Sequence, residues 1–333
     1  MARSTILVTG GAGFIGSNIV AELVNDPGCD VVVCDRFRES KDGKWRNLAK
    51  HAIADLLPPE ALFDWLGQSG RQVDLIVHMG AVSSTLETDA DKILANNFVL
   101  SRDLFRWCAV HGCRFIYASS AATYGDGALA FDDAQDELSL GALRPLNPYG
   151  WSKALFDLFA VRQSALGQAP PQWTGLKFFN VYGPNEAHKG PMRSVVSQIW
   201  PAVEAGEVIR LFRSYRPDVP DGGQSRDFVY VRDVADCVGW LAGTSSVNGV
   251  FNLGSGQARS FADLARSVFA AAGREPKIEY IDMPEPLRGA YQYYTCASMD
   301  RLRAAGWSGG ATSLEQGVTD YVQRYLTKPD PYR

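Results

Sequence analysis

The sequence is poor in anything that would cluster its thiols and imidazoles. Its six cysteines (Cys29, Cys34, Cys108, Cys113, Cys237 and Cys296) form no C-x-x-C pair and no Cys/His ligand spacing. The four histidines, His51, His78, His111 and His188, show no H-x-x-x-H grouping. A metal centre or a disulfide framework therefore has no support, and Cys34 and Cys237 read as small buried thiols inside apolar runs. Uninterrupted apolar segments are also missing, since none approaches the roughly 18–20 residues of a membrane span. An excess of positive charge is absent too: with a net charge of −4 over 333 residues, nothing suggests a nucleic-acid or anionic-membrane footprint. The opening M-A-R-S-T-I-L-V-T-G runs straight into a strand-like segment, so no signal peptide is expected and the cytoplasm is the expected location.

What is present is an alternation of buried-strand and helical patterns. Thr5–Thr9, Asp30–Asp35, Leu75–His78, Arg114–Ala118 and Gly175–Phe179 are continuous apolar runs suited to parallel strands covered on both faces. Helical stretches such as Gly16–Asn25 and Asn97–His111 separate them, which predicts an α/β fold with a doubly wound parallel sheet. After Tyr182 the rhythm loosens, and Gly, Pro and Arg become frequent through Pro184–Gln224, as in insertions that cover a cleft. The segments 226–231 and 251–256, with the helix Val234–Leu241 between them, are expected to return to the main sheet. The predicted division is a nucleotide-binding domain of 1–180 plus about 226–255, and a smaller mixed α/β substrate-binding domain of about 181–225 plus 256–333. Thr312 and Glu315 stand in capping-box spacing before a C-terminal helix.

The segment V-T-G-G-A-G-F-I-G-S follows the first strand and opens a helix. Gly11, Gly13 and Gly16, preceded by Gly10, satisfy G-x-G-x-x-G, which lets backbone N–H groups and a helix N-terminus approach a pyrophosphate. Glycine-rich turns are common, and it is the flanking strand, the helix and Asp35 closing the second strand that make this one a dinucleotide cradle. Asp35 could accept from a ribose 2′-hydroxyl and favour NAD. Arg36, Lys41 and Lys44 stand where a 2′-phosphate would lie, and these cations favour NADP.

The fourth strand ends in A-S-S-A-A-T-Y-G, which places Ser119 and Ser120 at the carboxyl edge of the sheet. Downstream, N-P-Y-G-W-S-K sets Tyr149 and Lys153 at i, i+4, on one face of a helix begun by Pro148. A phenol is a poor base at neutrality, so a nearby ammonium and a cationic nicotinamide would have to lower its pKa by about 3 units, worth about 4 kcal/mol. Ser120 could hydrogen-bond the same substrate oxygen. The Y-x-x-x-K spacing alone arises often by chance, but the glycine loop and the strand-end serines together leave chance the minor explanation.

With these motifs the chain resembles the extended short-chain dehydrogenase/reductases that act on nucleotide sugars. Dehydratases of that group carry an acidic pair before Y-G; S-A-A-T stands there in this sequence and disfavours elimination chemistry. Further segments, G-A-V-S-S-T, P-L-N-P-Y-G-W-S-K, F-N-V-Y-G-P-N-E-A-H-K-G and R-D-F-V-Y-V, are similar to the ADP-glyceromanno-heptose 6-epimerase family over essentially the whole chain. The resemblance implies a Rossmann fold, one tightly held NADP per subunit, an ADP-heptose substrate of lipopolysaccharide core synthesis, and a homopentamer. It implies Tyr149 and Lys189 as two acid/bases. Phe14, Ile15, Asp35, Arg36, Lys44, Met79, Gly80, Ala81, Val82, Ser83, Asn96, Lys153, Val181 and Lys189 would lie along the cofactor. Asn180, Pro191, Gln198, Phe212, Arg213, Ser214, Tyr215, Arg226 and Tyr291 would face the sugar nucleotide. A guanidinium at 226 can grip a pyrophosphate bidentately, or else pair structurally with Asp227 or Asp233. Pro191, Arg193 and the longer stretch 216–224 depart from the family pattern.

The chemistry so implied is transient oxidation at C6″, reorientation of the ketone, and reduction on its opposite face. The oxygen then occupies two positions, and one group cannot reach both at hydrogen-bond distance. Lys189 would be the second group, and His188 only a neighbour shaping the loop. Phe178, Phe179 and Tyr182 read as core aromatics. The alternatives are a UDP-hexose 4-epimerase or related reductase, which would not need Lys189, and a non-catalytic NAD(P)-sensing protein.

Overall fold

The computed structural model describes residues 3–37, 43–68, 72–85, 87–134, 136–288, 291–310 and 312–333. Lys41 lies outside them. Twelve strands follow one another along the described chain: β1 (Ser4–Thr9), β2 (Cys29–Cys34), β3 (Asp55–Leu57), β4 (Leu75–His78), β5 (Arg114–Ser120), β6 (Trp173–Phe178), β7 (Asn180–Tyr182), β8 (Ile209–Phe212), β9 (Ser225–Tyr230), β10 (Gly249–Leu253), β11 (Ala258–Ser260) and β12 (Ile278–Ile281). Seven of them form a wholly parallel sheet in the order β10-β6-β5-β4-β1-β2-β3. The strand order reverses between β1 and β4, and the crevice beyond their carboxyl ends is where such a sheet binds ligands.

Residues buried on both faces account for the apolar runs. Val8 sits in register between Val33 and Val77, and all three are fully buried. One core joins β1, β2 and β4 to the helices Phe14–Leu23 and Val231–Gly243; a second, rich in aromatics, lies on the other face around Phe105, Phe115 and Phe156. Burial of side chains of this size stabilises by about 1.5–3 kcal/mol each before entropy is counted. A third core, around Tyr182, Trp200, Phe228 and Phe269, supports two small sheets, β11-β9-β7 and β12-β8.

Four details differ from the sequence reading. Of the two segments expected to rejoin the main sheet, only 249–253 does; Ser225–Tyr230 pairs with β7 and β11 instead. An apolar strand fits either sheet, and the choice depends on long-range partners. The C-terminal capping box is Ser313 with Gln316, one residue beyond Thr312 and Glu315, and the Thr312 hydroxyl donates to Asp233 instead (2.7 Å). Of the helix expected over 97–111, only Leu100–His111 is α-helical; its first residues lie in a wide π-helical turn, Leu94–Val99, in which Asn97 is buried. The glycine- and proline-rich stretch 184–224 contains a regular helix, Val195–Ala205, capped by Ser194.

Candidate active site

The chain leaves β1 through Gly10, whose φ of 66° is left-handed, and enters the helix Phe14–Leu23 at Gly13, which has no side-chain cap. A Cβ on Gly10 would meet the Gly80 nitrogen at 2.6 Å, and one on Gly16 would meet the Gly10 carbonyl at 2.1 Å. Only glycine lets these turns approach so closely. At Gly13 a Cβ would meet only the Gly10 oxygen, at 3.1 Å, so the helix N-terminus opens toward the cleft as a phosphate cradle requires. Gly11 lies behind, facing the Val33 side chain.

Asp35 closes the cradle from the end of β2. One oxygen accepts the Ala12 N–H (2.8 Å); the other takes the Arg36 N–H (2.7 Å) and the Lys44 ammonium (2.6 Å). Arg36 turns its guanidinium to Glu60 (2.8 Å), on the rim of a second cavity of about 380 Å³ that also shares Asp35. That cavity is lined by Phe37, Leu56, Leu57 and Pro58, an apolar setting for a flat base.

From these turns a cleft of about 670 Å³ runs across the sheet edge. Gly10, Gly13, Phe14, Ile15, Gly16, Asp35, Lys44, Met79, Gly80, Ala81, Ser83, Ser120, Tyr149, Lys153, Asn180, Val181 and Lys189 all line it. The site residues outside its lining are Gly11, Arg36, Val82, Asn96, Pro191, Gln198, Phe212, Arg213, Ser214, Tyr215, Arg226 and Tyr291. Asn96 turns its amide back to the Lys92 carbonyl (2.7 Å), whereas the neighbouring Asn97 is fully buried and holds both the N–H and the C=O of Val82 (2.8 and 3.0 Å). Asn97 thus fixes the loop carrying Met79–Ser83. Its sequence signal was an asparagine doublet, and only the wide turn decides which of the two points inward. Pro191 and Gln198 are exposed and bonded to each other (3.3 Å).

Tyr149 and Lys153 share a helical face as the spacing predicts, on the helix Pro148–Ala165. Burial pushes the Tyr149 phenol up, a hydrogen bond with Ser120 pulls it down, and the Asp157 carboxylate adds a further upward push. Lys153 is 3% exposed and donates to the Ala118 carbonyl (2.7 Å); burial pulls it down to about 8, against the opposing pull of Asp157. Asp157 is itself fully buried. It accepts from Tyr117 (2.9 Å) and Ser119 (2.7 Å), with the Lys177 ammonium at 3.5 Å. Sequence reasoning missed this pair, although a lysine inside the buried strand W-T-G-L-K-F was a visible signal.

Lys189 reaches the same cleft from the opposite chain segment, a short turn over Ala187–Met192. Its ammonium lies 5.2 Å from the centre of the Phe14 ring, and burial lowers its pKa while Glu186 raises it. His188 approaches the Asn47 amide (3.3 Å), which also donates to the Ala12 and Asn185 carbonyls (2.9 and 3.1 Å). It therefore joins the Lys189 turn to the glycine loop, a scaffolding contact. Arg226 has no partner in Asp227 or Asp233: Asp227 takes Ser255, Gly256 and Ala297, and Asp233 takes Thr312. Its guanidinium donates to the Ser225 carbonyl (2.9 Å) between the rings of Phe261 and Tyr291 (5.6 and 5.3 Å), and burial lowers its pKa. Phe178 and Phe179 belong to the core as expected, yet both also face the cleft.

No helix among the described residues is long and apolar enough to cross a membrane. Residues 6–254 match the model of the NAD dependent epimerase/dehydratase family. An ADP-L-glycero-D-manno-heptose-6-epimerase of Nitratidesulfovibrio vulgaris is 51% identical over 98% of this chain and 99% of its own. That of Fusobacterium nucleatum is 43% identical over 98% and 99%. Among solved structures, the Helicobacter pylori ADP-L-glycero-D-manno-heptose-6-epimerase superposes with a TM-score of 0.79 at 29% identity, covering 97% of this chain and 96% of that one. A Thermus thermophilus UDP-glucose 4-epimerase in complex with NAD gives 0.70 at 27% identity over 95% and 96%. With its parallel sheet, its glycine cradle and a full-length likeness at half the positions, the chain belongs to the NAD dependent epimerase/dehydratase family, among the ADP-L-glycero-D-manno-heptose-6-epimerases.

Proposed function

We propose that the chain is an isomerase that interconverts ADP-D-glycero- and ADP-L-glycero-D-manno-heptose at C6″, for lipopolysaccharide core synthesis, as a cytoplasmic homopentamer holding one NADP per subunit. The observation that carries the reading is that Lys189 lines the same cleft as Tyr149 and Lys153, while arriving from a different segment of the chain. A 4-epimerase that turns the whole sugar ring has no use for that second group.

The cradle residues fit a nicotinamide dinucleotide. Gly10, Gly13 and the helix N-terminus behind them would take the pyrophosphate, Asp35 and Lys44 the adenosine ribose, and Lys153 the nicotinamide side. Lys44 beside Asp35 supports NADP, because a 2′-phosphate would meet an ammonium there. When bound, the nicotinamide supplies reversible acceptance and return of hydride at the carbinol carbon.

The chain's own work is to hold protons. Tyr149 and Lys189 each serve one position of the substrate oxygen: one removes the hydroxyl proton, and the other returns a proton once the ketone has turned. Ser120, hydrogen-bonded to the Tyr149 phenol, steadies the oxygen on that side. Lys153 supplies positive charge to the phenolate. Arg226, a buried guanidinium without a carboxylate partner among the described residues, suits the substrate pyrophosphate, flanked by Tyr291. The groups at 212–215 and at 180 then lie toward the sugar nucleotide.

Two measurements test the reading. The nucleotide released on denaturing the purified protein should be NADP, and ADP-D-glycero-D-manno-heptose should be epimerised while UDP-galactose is not. Turnover of UDP-galactose without turnover of the heptose would refute it.

A further inference from the structure

One buried carboxylate beside the cleft is used by none of these steps. Glu186 is 1% exposed, and its side chain is spent within the fold. One oxygen accepts the Ser194 N–H (2.5 Å); the other accepts the Ser194 hydroxyl (2.5 Å) and the Tyr321 hydroxyl (3.1 Å). Its backbone carbonyl accepts the Lys189 N–H (3.0 Å). Residue 186 therefore binds both ends of the turn that carries Lys189.

The anchors on the other side are firm. Ser194 is the N-cap of the helix Val195–Ala205, and Tyr321 closes the helix Leu314–Tyr321. Between the two ends the chain reverses at Gly190, with φ 55° and ψ −125°, and Arg193 closes back on the Gly190 carbonyl (2.9 Å). His188 against Asn47 and the Gln198 amide on the Pro191 and Arg193 carbonyls hold the outer side of the turn, and the Glu186 carboxylate is its buried anchor.

Charge gives Glu186 a second role. Asp35 is the only carboxylate among the described residues lining the cleft, and Lys44 pairs with it. The groups facing the Lys189 turn are Phe14 from the glycine-loop helix, His188 and Arg193 from the turn itself, and the Tyr321 hydroxyl from the C-terminal helix. Burial pushes the Glu186 carboxyl up, and the Ser194 hydrogen bonds, the Lys189 charge and the Tyr321 hydroxyl pull it back down; beyond ion-pair distance, it is the carboxylate whose field opposes the loss of the Lys189 proton.

We propose that Glu186 is a positioning residue for Lys189, closing the 186–194 turn that carries it and setting a buried carboxylate at the base of that turn. The proposal rests on the reading of Lys189 as an acid/base. Glu186→Gln keeps the shape of the staple and removes its charge; Glu186→Ala removes both. In the cofactor-loaded enzyme, Glu186→Gln should lower kcat by about tenfold or more while KM stays within about threefold. The titration of Lys189, followed by NMR of 13C-dimethylated lysines and assigned by its absence in Lys189→Met, should move by about one unit to lower pH. Glu186→Ala should lose more activity.

A lower melting temperature in both variants, with an unmoved Lys189 titration, would make Glu186 merely structural and overturn the proposal. If the Glu186 variants do not fold, Tyr321→Phe removes a single bond from the staple. It should lower kcat severalfold with cofactor retained, and an unchanged kcat there would also overturn the proposal. Full activity of Lys189→Met is a different failure, one that sinks the acid/base reading itself.

Discussion

The Lys44 ammonium lies 2.6 Å from the Asp35 carboxylate, so the acidic residue that follows β2 is neutralised before any ribose reaches it. Such a pair accepts a 2′-phosphate more readily than a bare carboxylate would, because the added negative charge meets a cation. Lys44→Ala should therefore lower the ratio of NADP to NAD affinity by about tenfold or more, about 1.4 kcal/mol. Titration of the cofactor-free protein with each dinucleotide measures it, and an unchanged ratio would remove Lys44 from the selection.

Tyr149→Phe and Lys189→Met should each reduce epimerisation by about 10²–10⁴-fold, the usual contribution of a positioned proton-transfer group. Both should retain the nicotinamide cofactor, since the glycine cradle is untouched. The two-base scheme fails if Lys189→Met turns over substrate at the wild-type rate.

In the proposed mechanism, Lys153 links activity to pH. Burial holds it at about 8, so it is an ammonium below that pH and neutral above it. Above about 8 the Tyr149 phenolate loses its cationic support, and kcat should decline there in the wild type; in the much weaker Lys153→Met that limb should vanish. Stability moves the other way. A lysine whose folded pKa lies below its unfolded value costs folding energy in full below about pH 8, and that cost fades as pH rises toward the unfolded value. Removing the charge in Lys153→Met should then stabilise the fold at pH 7 by about 1–3 kcal/mol, read by chemical denaturation, even as activity falls.

Asp157 and Lys177 make the opposite case. Both are fully buried, 3.5 Å apart, beneath the serines of β5. Asp157→Asn leaves the Lys177 ammonium uncompensated and should destabilise by about 3–5 kcal/mol. Lys177→Met should cost less, because Tyr117 and Ser119 still donate to Asp157. Equal losses in the two denaturation curves would mean that charge does not govern this pair.

Much of the fold was written locally. The parallel strands, the glycine turn, and Tyr149 and Lys153 on one helical face follow from runs and spacings that span ten residues or fewer, and backbone geometry alone fixes what such patterns mean. Lys189 was reachable only as one member of a resembling block, because a lysine in a glycine- and proline-broken turn carries no periodicity. Tertiary structure placed it in the cleft through contacts far along the chain: Glu186 to Tyr321, and Asn47 to His188 and Asn185. It also chose Asn97 over Asn96 to hold the loop after β4, gave Ser225–Tyr230 to a small sheet, and set Arg226 between two rings. The sequence by itself determined which chemistry-bearing residues exist and on which elements they ride. Which of them meet was decided by packing between distant segments, since burial and charge pairing are properties of neighbours in space.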